Sequence, residues 1–326
     1  MNNSVINWGI IGCGDVTEVK SGPAFNKVAN SRLVAVMRRN TVKAKDYAQR
    51  HGIGKWYDDA DELINDPEVN AIYIATPPLQ HEQYAIQALK AGKPVYLEKP
   101  MAIDAQAANR VAEAAKQTGM KLSVAHYRRQ QPLFLKIKTL LEEKEIGDVR
   151  MINLQLLQPH LSKMIAQSEE NWRVDPSISG GGLFYDLAPH QLDLMFNFFG
   201  RPEKISGISF NASGFYAADD TTSGLILFDD NILFNGVWCF TSPERADHCE
   251  IVGTKGKLHF SIFENNPLII EKDGIQTSIE FERLQHVQQP MIEKVVEYFL
   301  GQSSNPCSAE EGVEVMQMID AIAGKI

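Results

Sequence analysis

The sequence of 326 residues lacks the features that mark several large classes of protein. No apolar run approaches the roughly 18 residues that a membrane-spanning helix needs. The four cysteines form no Cys-x-x-Cys pair, so they predict reduced thiols and a cytoplasmic location instead of a disulfide framework. The eight histidines include no close pair suited to zinc, and we therefore expect no metal site.

An excess of positive charge is also missing. The chain carries 32 lysines and arginines against 41 acidic residues, for a formal net charge of −9. Such a field repels nucleic acid and anionic membranes, so neither is expected as a main partner. The first residues have no basic segment and resemble a first strand more than a signal peptide. The remaining composition, 44% hydrophobic and 22% charged, suits a globular protein of about two domains.

The first part of the chain alternates short apolar runs with helical patterns, which is typical of parallel βαβ units. The expected strands are Val5–Ile11, Arg32–Met37, Ala71–Ala75, Pro94–Leu97 and Lys121–Ala125. Helices are expected between them, for example over Thr41–His51 and His81–Ala91. This order predicts a doubly wound parallel sheet, covered on both faces, within residues 1–124.

After residue 124 the pattern changes to a helix over Pro132–Lys144 followed by a series of strand-like runs. The runs are Arg150–Leu157, Lys204–Asn211, Thr222–Phe228, Ile232–Phe240, His248–Val252, Lys257–Phe263 and Leu268–Glu271. Hairpin turns are expected at Asp229–Asn231 and Lys272–Gly274, which indicates an antiparallel sheet. Two helices, Pro290–Leu300 and Glu310–Ile322, complete a second domain over residues 125–326.

A glycine-rich loop follows the first strand and has the spacing of a phosphate-binding turn. Gly12 allows the tight turn, and Gly14 lets the backbone approach a pyrophosphate while amides at the next helix start face the anion. The third glycine of the full pattern would fall at Thr17, so the alternative is a glycine turn after any buried strand. The location inside a βαβ pattern favours the dinucleotide. The expected contacts of this loop are Gly12, Cys13, Gly14, Asp15 and Val16.

Two arginines, Arg38 and Arg39, follow the second strand at the point where NAD-binding folds carry an acidic residue for the ribose hydroxyls. Guanidinium groups pair with a 2′-phosphate and stack on adenine, so we expect NADP in preference to NAD. The alternative is a pair of solvated surface arginines.

Two further segments carry residues suited to chemistry. Glu98, Lys99 and Pro100 lie at the carboxyl end of a strand, where open α/β sheets place their ligands. Asp186 and His190 follow a run of three glycines and share one face if the segment is helical. The carboxylate could then hold the imidazole near a substrate.

The ordered set of motifs resembles the glucose–fructose oxidoreductase/inositol dehydrogenase family, Gfo/Idh/MocA, over essentially the whole chain. The motifs are Gly9–Gly14, Ala75–Pro77, Glu98–Pro100 and Gly180–Gly182 with Asp186 and His190. The resemblance implies an α/β fold: an amino-terminal Rossmann domain and a carboxy-terminal α/β domain with a large, mostly antiparallel open sheet. That sheet commonly forms a homodimer or homotetramer. The implied reaction transfers a hydride between NADP or NAD and a sugar, polyol or cyclic diol-type alcohol or its carbonyl form.

Within this resemblance, Lys99 matches the active-site lysine, which would polarise the substrate oxygen, and His190 would exchange the hydroxyl proton. Asp186 would orient the imidazole or bind a sugar hydroxyl. Further cofactor contacts implied are Ala75, Thr76, Pro77, His81, Glu98, Lys99, Trp172 and Arg173. In relatives the bond matching Lys99–Pro100 is a cis peptide. The bland alternatives are an interior histidine at 190, a surface lysine at 99, and packing by Trp172 with a solvated Arg173.

Two other functions remain open at this point. One is a same-fold enzyme that uses its nicotinamide transiently for isomerisation or elimination. The other is a non-catalytic NADP-binding regulator, because a fold alone does not establish chemistry.

Overall fold

The computed structural model describes residues 4–160, 162 and 171–326. Their contacts divide the chain into two units, each described here by itself. The first unit comprises Met1–Arg128 and Leu284–Met316, and the second comprises Arg129–Arg283 and Gln317–Ile326. Among the described residues, no helix combines the length and apolar character that crossing a bilayer requires.

The described residues form fourteen β-strands and ten α-helices. The strands are β1 Ile6–Ile11, β2 Ser31–Met37, β3 Lys55–Tyr57, β4 Ala71–Ile74, β5 Val95–Leu97, β6 Leu122–Val124, β7 Val149–Leu157, β8 Pro202–Phe210, β9 Thr221–Phe228, β10 Ile232–Cys239, β11 Ala246–Gly253, β12 Gly256–Phe260, β13 Leu268–Lys272 and β14 Ile275–Ile279. The helices are α1 Asp15–Val19, α2 Thr41–His51, α3 Ala60–Asn65, α4 His81–Lys90, α5 Ala105–Thr118, α6 Pro132–Glu142, α7 Pro176–Ser179, α8 Leu183–Phe199, α9 Gln289–Phe299 and α10 Ala309–Ile322.

The sheet of the first unit is parallel throughout, with the strand order β3-β2-β1-β4-β5-β6. Every residue of β4 and β5 is buried, as expected for parallel strands covered on both faces. The strand order reverses between β1 and β4, and ligands of open α/β sheets bind at such a point. The predicted doubly wound Rossmann sheet is confirmed.

Local signals set the ends of the helices in this unit. The Asn40 side chain accepts a hydrogen bond from the Lys43 amide (3.0 Å) at the start of α2, which ends at Gly52 in the left-handed conformation. Asp104 caps α5 in the same way, by accepting from the Ala107 amide (2.7 Å). These side chains satisfy amides that the first turn of a helix leaves without an internal partner.

The first unit also contains a segment that the sequence places elsewhere. Residues 125–326 were all expected in the second domain, but Leu284–Met316 packs with the first unit. The Phe299 ring lies 5.6 Å from that of Trp8, and Lys121 Nζ donates to the Tyr298 carbonyl (2.7 Å). The Val124 amide donates to the Cys307 carbonyl (3.0 Å). These contacts join residues far apart in sequence, so no local sequence pattern predicts them.

The second unit contains an eight-stranded sheet in the order β14-β13-β12-β11-β7-β10-β9-β8. All neighbouring strands are antiparallel except β7 and β10, which are parallel. The expected turns lie between β9 and β10 and between β13 and β14, where Asp230, Asn231, Asp273 and Gly274 have positive φ angles. The large, mostly antiparallel sheet is confirmed, with β14 as a strand that the sequence reading did not include.

The two faces of this sheet differ in character. One face, which we call the inner face, buries Leu154, Leu156, Phe234 and Trp238. Helix α8 packs on it, with the Phe184 ring 5.0 Å from Trp238 in an edge-to-face arrangement. Opposite this face the strands expose apolar side chains.

Candidate active site

The phosphate-type loop lies at the point where the strand order reverses. Gly12 has φ +95°, and a Cβ built on it would lie 2.8 Å from backbone atoms of Ala75 and Thr76. A side chain is therefore excluded by both conformation and space. The Ala75 amide donates to the Ile11 carbonyl (2.8 Å), so the structure brings the loop and the segment after β4 together.

Hydrogen bonds to β2 and within the turn hold the loop in place. The Gly12 and Cys13 amides donate to the Met37 carbonyl (2.9 and 3.1 Å). The Gly14 amide donates to Thr17 Oγ1 (3.0 Å), whose hydroxyl donates to the Gly14 carbonyl (2.8 Å). Thr17 thus braces the turn at the position of the third glycine. Burial raises the pKa of the Cys13 thiol to about 12, so it remains protonated at neutral pH.

Several observations fit a dinucleotide at this loop. A Cβ on Gly14 would have the Gly12 carbonyl oxygen at 3.9 Å as its nearest neighbour, so the space over Gly14 is open. The first turn of α1 leaves the amides of Asp15 and Val16 without an internal partner. Thr76 Oγ1 is buried and makes no hydrogen bond in the part of the chain that the structure describes. A buried hydroxyl without a partner is costly, so an incoming polar group is the simplest account of it.

The two arginines after β2 differ in their surroundings. Arg38 is half-buried, and its Nη1 donates to the Cys13 carbonyl (3.3 Å), which holds the guanidinium beside the loop. Arg39 is exposed. The alternative of two solvated arginines therefore does not describe Arg38.

His81 links two segments at the carboxyl edge of the sheet. Its Nδ1 lies 2.9 Å from the Pro100 carbonyl oxygen, and its Nε2 lies 2.8 Å from that of Thr76. The ring is buried, and burial lowers its pKa to about 4. Both ring nitrogens face the protein backbone, so His81 holds the Thr76 and Pro100 segments in place. Pro77, the residue after Thr76, is half-buried.

Glu98 and Lys99 follow β5 directly, and the Lys99–Pro100 peptide bond is cis. The Glu98 amide donates to the Ile74 carbonyl (3.0 Å), which fixes the segment beside the end of β4. The Glu98 carboxylate is buried and turned towards Tyr73 and Gln288. Lys99 is half-buried.

In the second unit, helix α8 carries both further candidates. Asp186 and His190 lie one turn apart on one face, as the four-residue spacing predicts. Pro189 lies between them and has no amide hydrogen to donate to the Tyr185 carbonyl. The His190 ring is buried, with the Phe263 ring 5.7 Å away and nearly perpendicular to it.

Asp186, which is half-buried, contacts the tryptophan–arginine pair. Arg173 Nε donates to Asp186 Oδ2 (3.1 Å), and the guanidinium lies 4.4 Å from the centre of the Trp172 ring. Arg173 is only 6% exposed. The alternative of a solvated Arg173 is excluded, because its guanidinium group is hydrogen-bonded to the Asp186 carboxylate.

A second ion pair on α8 was not found by the sequence reading. Asp193 Oδ1 lies 2.7 Å from Arg129 Nη2 and 2.9 Å from its Nε, and both side chains are buried. Asp193 follows His190 by three residues, so helical periodicity could have placed it on the same side of the helix. Nothing local indicates its partner, because Arg129 is 64 residues away in sequence.

Comparison with known proteins gives two matches to one family. Residues 6–126 match the oxidoreductase family with an NAD-binding Rossmann fold, GFO_IDH_MocA, and residues 134–259 match the GFO/IDH/MocA C-terminal domain. Oxidoreductase P35 of Formosa agariphila is 49% identical over 98% of this chain and 99% of its own length. The 1,5-anhydro-D-fructose reductase of Ensifer adhaerens is 28% identical over 77% of this chain and 74% of its own.

Among solved structures, that of levoglucosan dehydrogenase in complex with NADH has a TM-score of 0.88. It covers 98% of this chain and 96% of its own, but at 21% identity the likeness shows the fold alone. The family assignment depends on sequence: both halves match in the expected order, and nearly the whole chain aligns with an oxidoreductase. This chain therefore belongs to the Gfo/Idh/MocA family and is an oxidoreductase.

Proposed function

We propose that the protein transfers a hydride between NADP and a carbinol carbon of a sugar, polyol or cyclic diol, or the corresponding carbonyl compound. The observation that carries the proposal is the placement of its polar groups. Lys99 follows β5 at the carboxyl edge of the parallel sheet, and Asp186 and His190 share one face of α8. The sequence similarity to the 1,5-anhydro-D-fructose reductase of Ensifer adhaerens supports a sugar-like substrate.

In this mechanism a nicotinamide, when bound, would supply or accept the hydride. His190 exchanges the proton of the reacting hydroxyl, for which an imidazole is suited near neutral pH. Lys99 donates a hydrogen bond to the substrate oxygen and stabilises the negative charge that develops there. Asp186, held by Arg173, orients the imidazole or binds a substrate hydroxyl.

The loop residues Gly12–Val16, with Ala75–Pro77 beside them, would hold the pyrophosphate and the nearby ribose. Arg38 and Arg39 would bind the 2′-phosphate, and the tether of Arg38 to the loop favours NADP over NAD. Trp172 and Arg173 keep their proposed role near the cofactor, in addition to the contact of Arg173 with Asp186. Glu98 and His81 keep their proposed place beside the cofactor, and their contacts with the Lys99 amide and with the Thr76 and Pro100 carbonyls would hold these segments in position.

We also propose a cytoplasmic homodimer or homotetramer formed through the sheet of the second unit. Several strands of that sheet expose apolar side chains opposite the inner face, namely Met151, Ile208, Phe210, Leu225 and Leu233. Exposed apolar side chains on one face of a sheet are typical of an interface. The cytoplasmic location is supported by the four cysteines, which are all free thiols.

The substitution His190→Asn tests the catalytic role. We expect kcat to fall by roughly two orders of magnitude or more, because a proton-transfer group is lost, while dinucleotide affinity stays within about threefold. The matched control is His248→Asn, at an exposed histidine on β11, which should leave kcat unchanged. Undiminished turnover in the His190 variant would remove this residue from the mechanism.

The substrate class is tested with a panel of sugars, inositols and dihydrodiols, each offered with NADP(H) and NAD(H), and read by nicotinamide absorbance. Turnover of one class with NADP(H) is the expected result. Product formation without net change of absorbance would identify transient use of the nicotinamide. Dinucleotide binding without turnover of any compound would favour the regulator.

A further inference from the structure

A buried hydrogen-bond network in the first unit ends on the backbone of Lys99. Glu98 Oε2 accepts from the Lys99 amide (3.1 Å). Glu98 Oε1 accepts from the Tyr73 hydroxyl (2.5 Å) and from Gln288 Nε2 (2.6 Å). Glu98 is 5% exposed, and these three donors turn both carboxylate oxygens towards the protein.

Gln288 is held so that it presents its amide nitrogen to Glu98. Its Oε1 accepts from the Tyr96 hydroxyl (3.2 Å), which leaves Nε2 to face the carboxylate. Its backbone amide donates to the Lys20 carbonyl (3.2 Å), and two residues earlier His286 Nδ1 donates to the Val19 carbonyl (2.7 Å). Gln288 thereby joins the end of α1 to the segment that carries Lys99.

Tyr73 makes a second connection between the same two places. Its hydroxyl lies 3.1 Å from Ser21 Oγ, which is 3.4 Å from the Val16 carbonyl oxygen in α1. Burial raises the pKa of the Tyr73 and Tyr96 hydroxyls well above the usual value, so both stay protonated and remain donors. Tyr73 can therefore donate to Glu98, and Tyr96 to Gln288.

We propose that Gln288 and Tyr73 are positioning residues for Lys99, acting through the Glu98 carboxylate. The two hydrogen bonds that Oε1 accepts from Tyr73 and Gln288 restrict the Glu98 carboxylate. Its Oε2, which accepts from the Lys99 amide, then restricts the backbone from which the Lys99 side chain extends. The expected effect on catalysis depends on the proposed role of Lys99. The restriction of the Lys99 backbone is independent of that role. Because a small misplacement of a reacting group costs much rate, the loss of one anchor should lower kcat more than it weakens binding.

The test uses Tyr73→Phe and Gln288→Met, which preserve side-chain size and remove the donor. Ser123→Ala is the matched control: Ser123 pairs with Tyr96 between β5 and β6, but its Oγ donates to the Cys307 carbonyl (3.1 Å) and makes none of the hydrogen bonds described above. Hydrogen exchange at the Lys99 amide, dinucleotide affinity, KM and kcat are measured on the full-length protein. Exchange within α5 serves as an internal reference for general loosening.

We expect exchange at the Lys99 amide to rise by about tenfold or more in both variants, without a matching rise in α5. Where turnover is measurable, kcat should fall by about tenfold to a hundredfold, with dinucleotide affinity and KM within about threefold. The Ser123 control should change none of these. Unchanged exchange at Lys99, an equal rise in the control, or a loss of kcat matched by lost dinucleotide affinity would each overturn the proposal. Exchange needs no substrate, so it decides the proposal even if the proposed reaction is wrong.

Discussion

At the scale of single residues, the two glycines of the loop serve different purposes. Gly12 is required by the protein itself, because its backbone conformation and the nearby Ala75 and Thr76 exclude a side chain. Gly14 has no such constraint, and the open space beside it suits the proposed dinucleotide. Gly12 is therefore explained by folding, and Gly14 by the proposed binding of the dinucleotide.

Alanine substitutions test this difference. Gly12→Ala should lower the free energy of unfolding by at least about 1–3 kcal/mol, from strain and contact with the backbone. Gly14→Ala should leave the Tm unchanged and weaken NADPH binding by at least about tenfold, a loss of roughly 1.4 kcal/mol. Gly54→Ala is the control, since a Cβ there meets nothing within 4 Å. Thermal unfolding and fluorescence titration measure both quantities, and unaltered NADPH binding in the Gly14 variant would contradict the proposed site.

Arg38 provides the residue-scale test of cofactor preference. In Arg38→Asp we expect NADP affinity to fall by at least about thirtyfold, since a hydrogen bond to a charged group is worth about 2 kcal/mol. NAD affinity should change by less than about threefold, because NAD has no 2′-phosphate. Arg32→Asp, at the other end of β2, controls for the charge change. Equal losses for the two dinucleotides would refute the preference for NADP.

At the scale of secondary-structure elements, an ion pair holds α1 against α2 behind the loop. Both carboxylate oxygens of Glu18 accept from Arg50 (2.7 and 2.8 Å), and His51 Nε2 lies 2.8 Å from Oε2. The Arg50 hydrogen bonds lower the pKa of Glu18 to about 2. Helix α1 is only five residues long, so this external support helps to fix the loop that precedes it.

The pH dependence of this contact follows from the direction of the shift. A carboxyl group with a depressed pKa stabilises the fold above its unfolded pKa, and the stabilisation is lost as pH falls towards the folded value. In Glu18→Gln we expect a loss of about 1 kcal/mol at pH 7, reduced because solvent screens this partly exposed pair. The Tm difference, roughly 2–4 °C, should shrink as pH falls below about 4.5. Glu113→Gln, at an exposed residue in the middle of α5, is the control, and a pH-independent difference would contradict this explanation.

At the scale of the whole molecule, the exposed apolar side chains of the second unit bear on assembly. Leu225 is 46% exposed and Leu233 41% exposed, on the adjacent strands β9 and β10. Stable interfaces bury about 800 Å² per partner, which a sheet face of several strands can provide.

Light scattering tests the proposed assembly. The unaltered protein should have the mass of a dimer or tetramer at micromolar concentration, and Leu225→Glu with Leu233→Glu should convert it to a monomer by burying charge at the contact. Ile275→Glu introduces the same charge at an exposed apolar residue on β14, the other edge of the sheet, and should leave the mass unchanged. A monomeric unaltered protein would contradict the proposal.

The sequence predicted the fold where its signals were local. The periodicity of apolar residues indicated five of the six parallel strands, and the turn residues around Asp230 and Asp273 indicated two hairpins. Strand β3 has three residues, none of them buried, so it offers too short a pattern to recognise. Leu284–Met316 forms helices as expected, but helical periodicity cannot say which unit a helix packs against.

The sequence alone determined which residue types could carry chemistry and their order along the chain, because motif spacing and helical or strand periodicity are properties of neighbouring residues. It placed Lys99 at a strand end and Asp186 one turn from His190. The tertiary structure decided their partners: Arg173 on Asp186, and Tyr73 with Gln288 on Glu98. A buried polar group must find a partner wherever packing brings one. Residues such as Glu98 and Gln288, 190 positions apart, meet only in the folded chain.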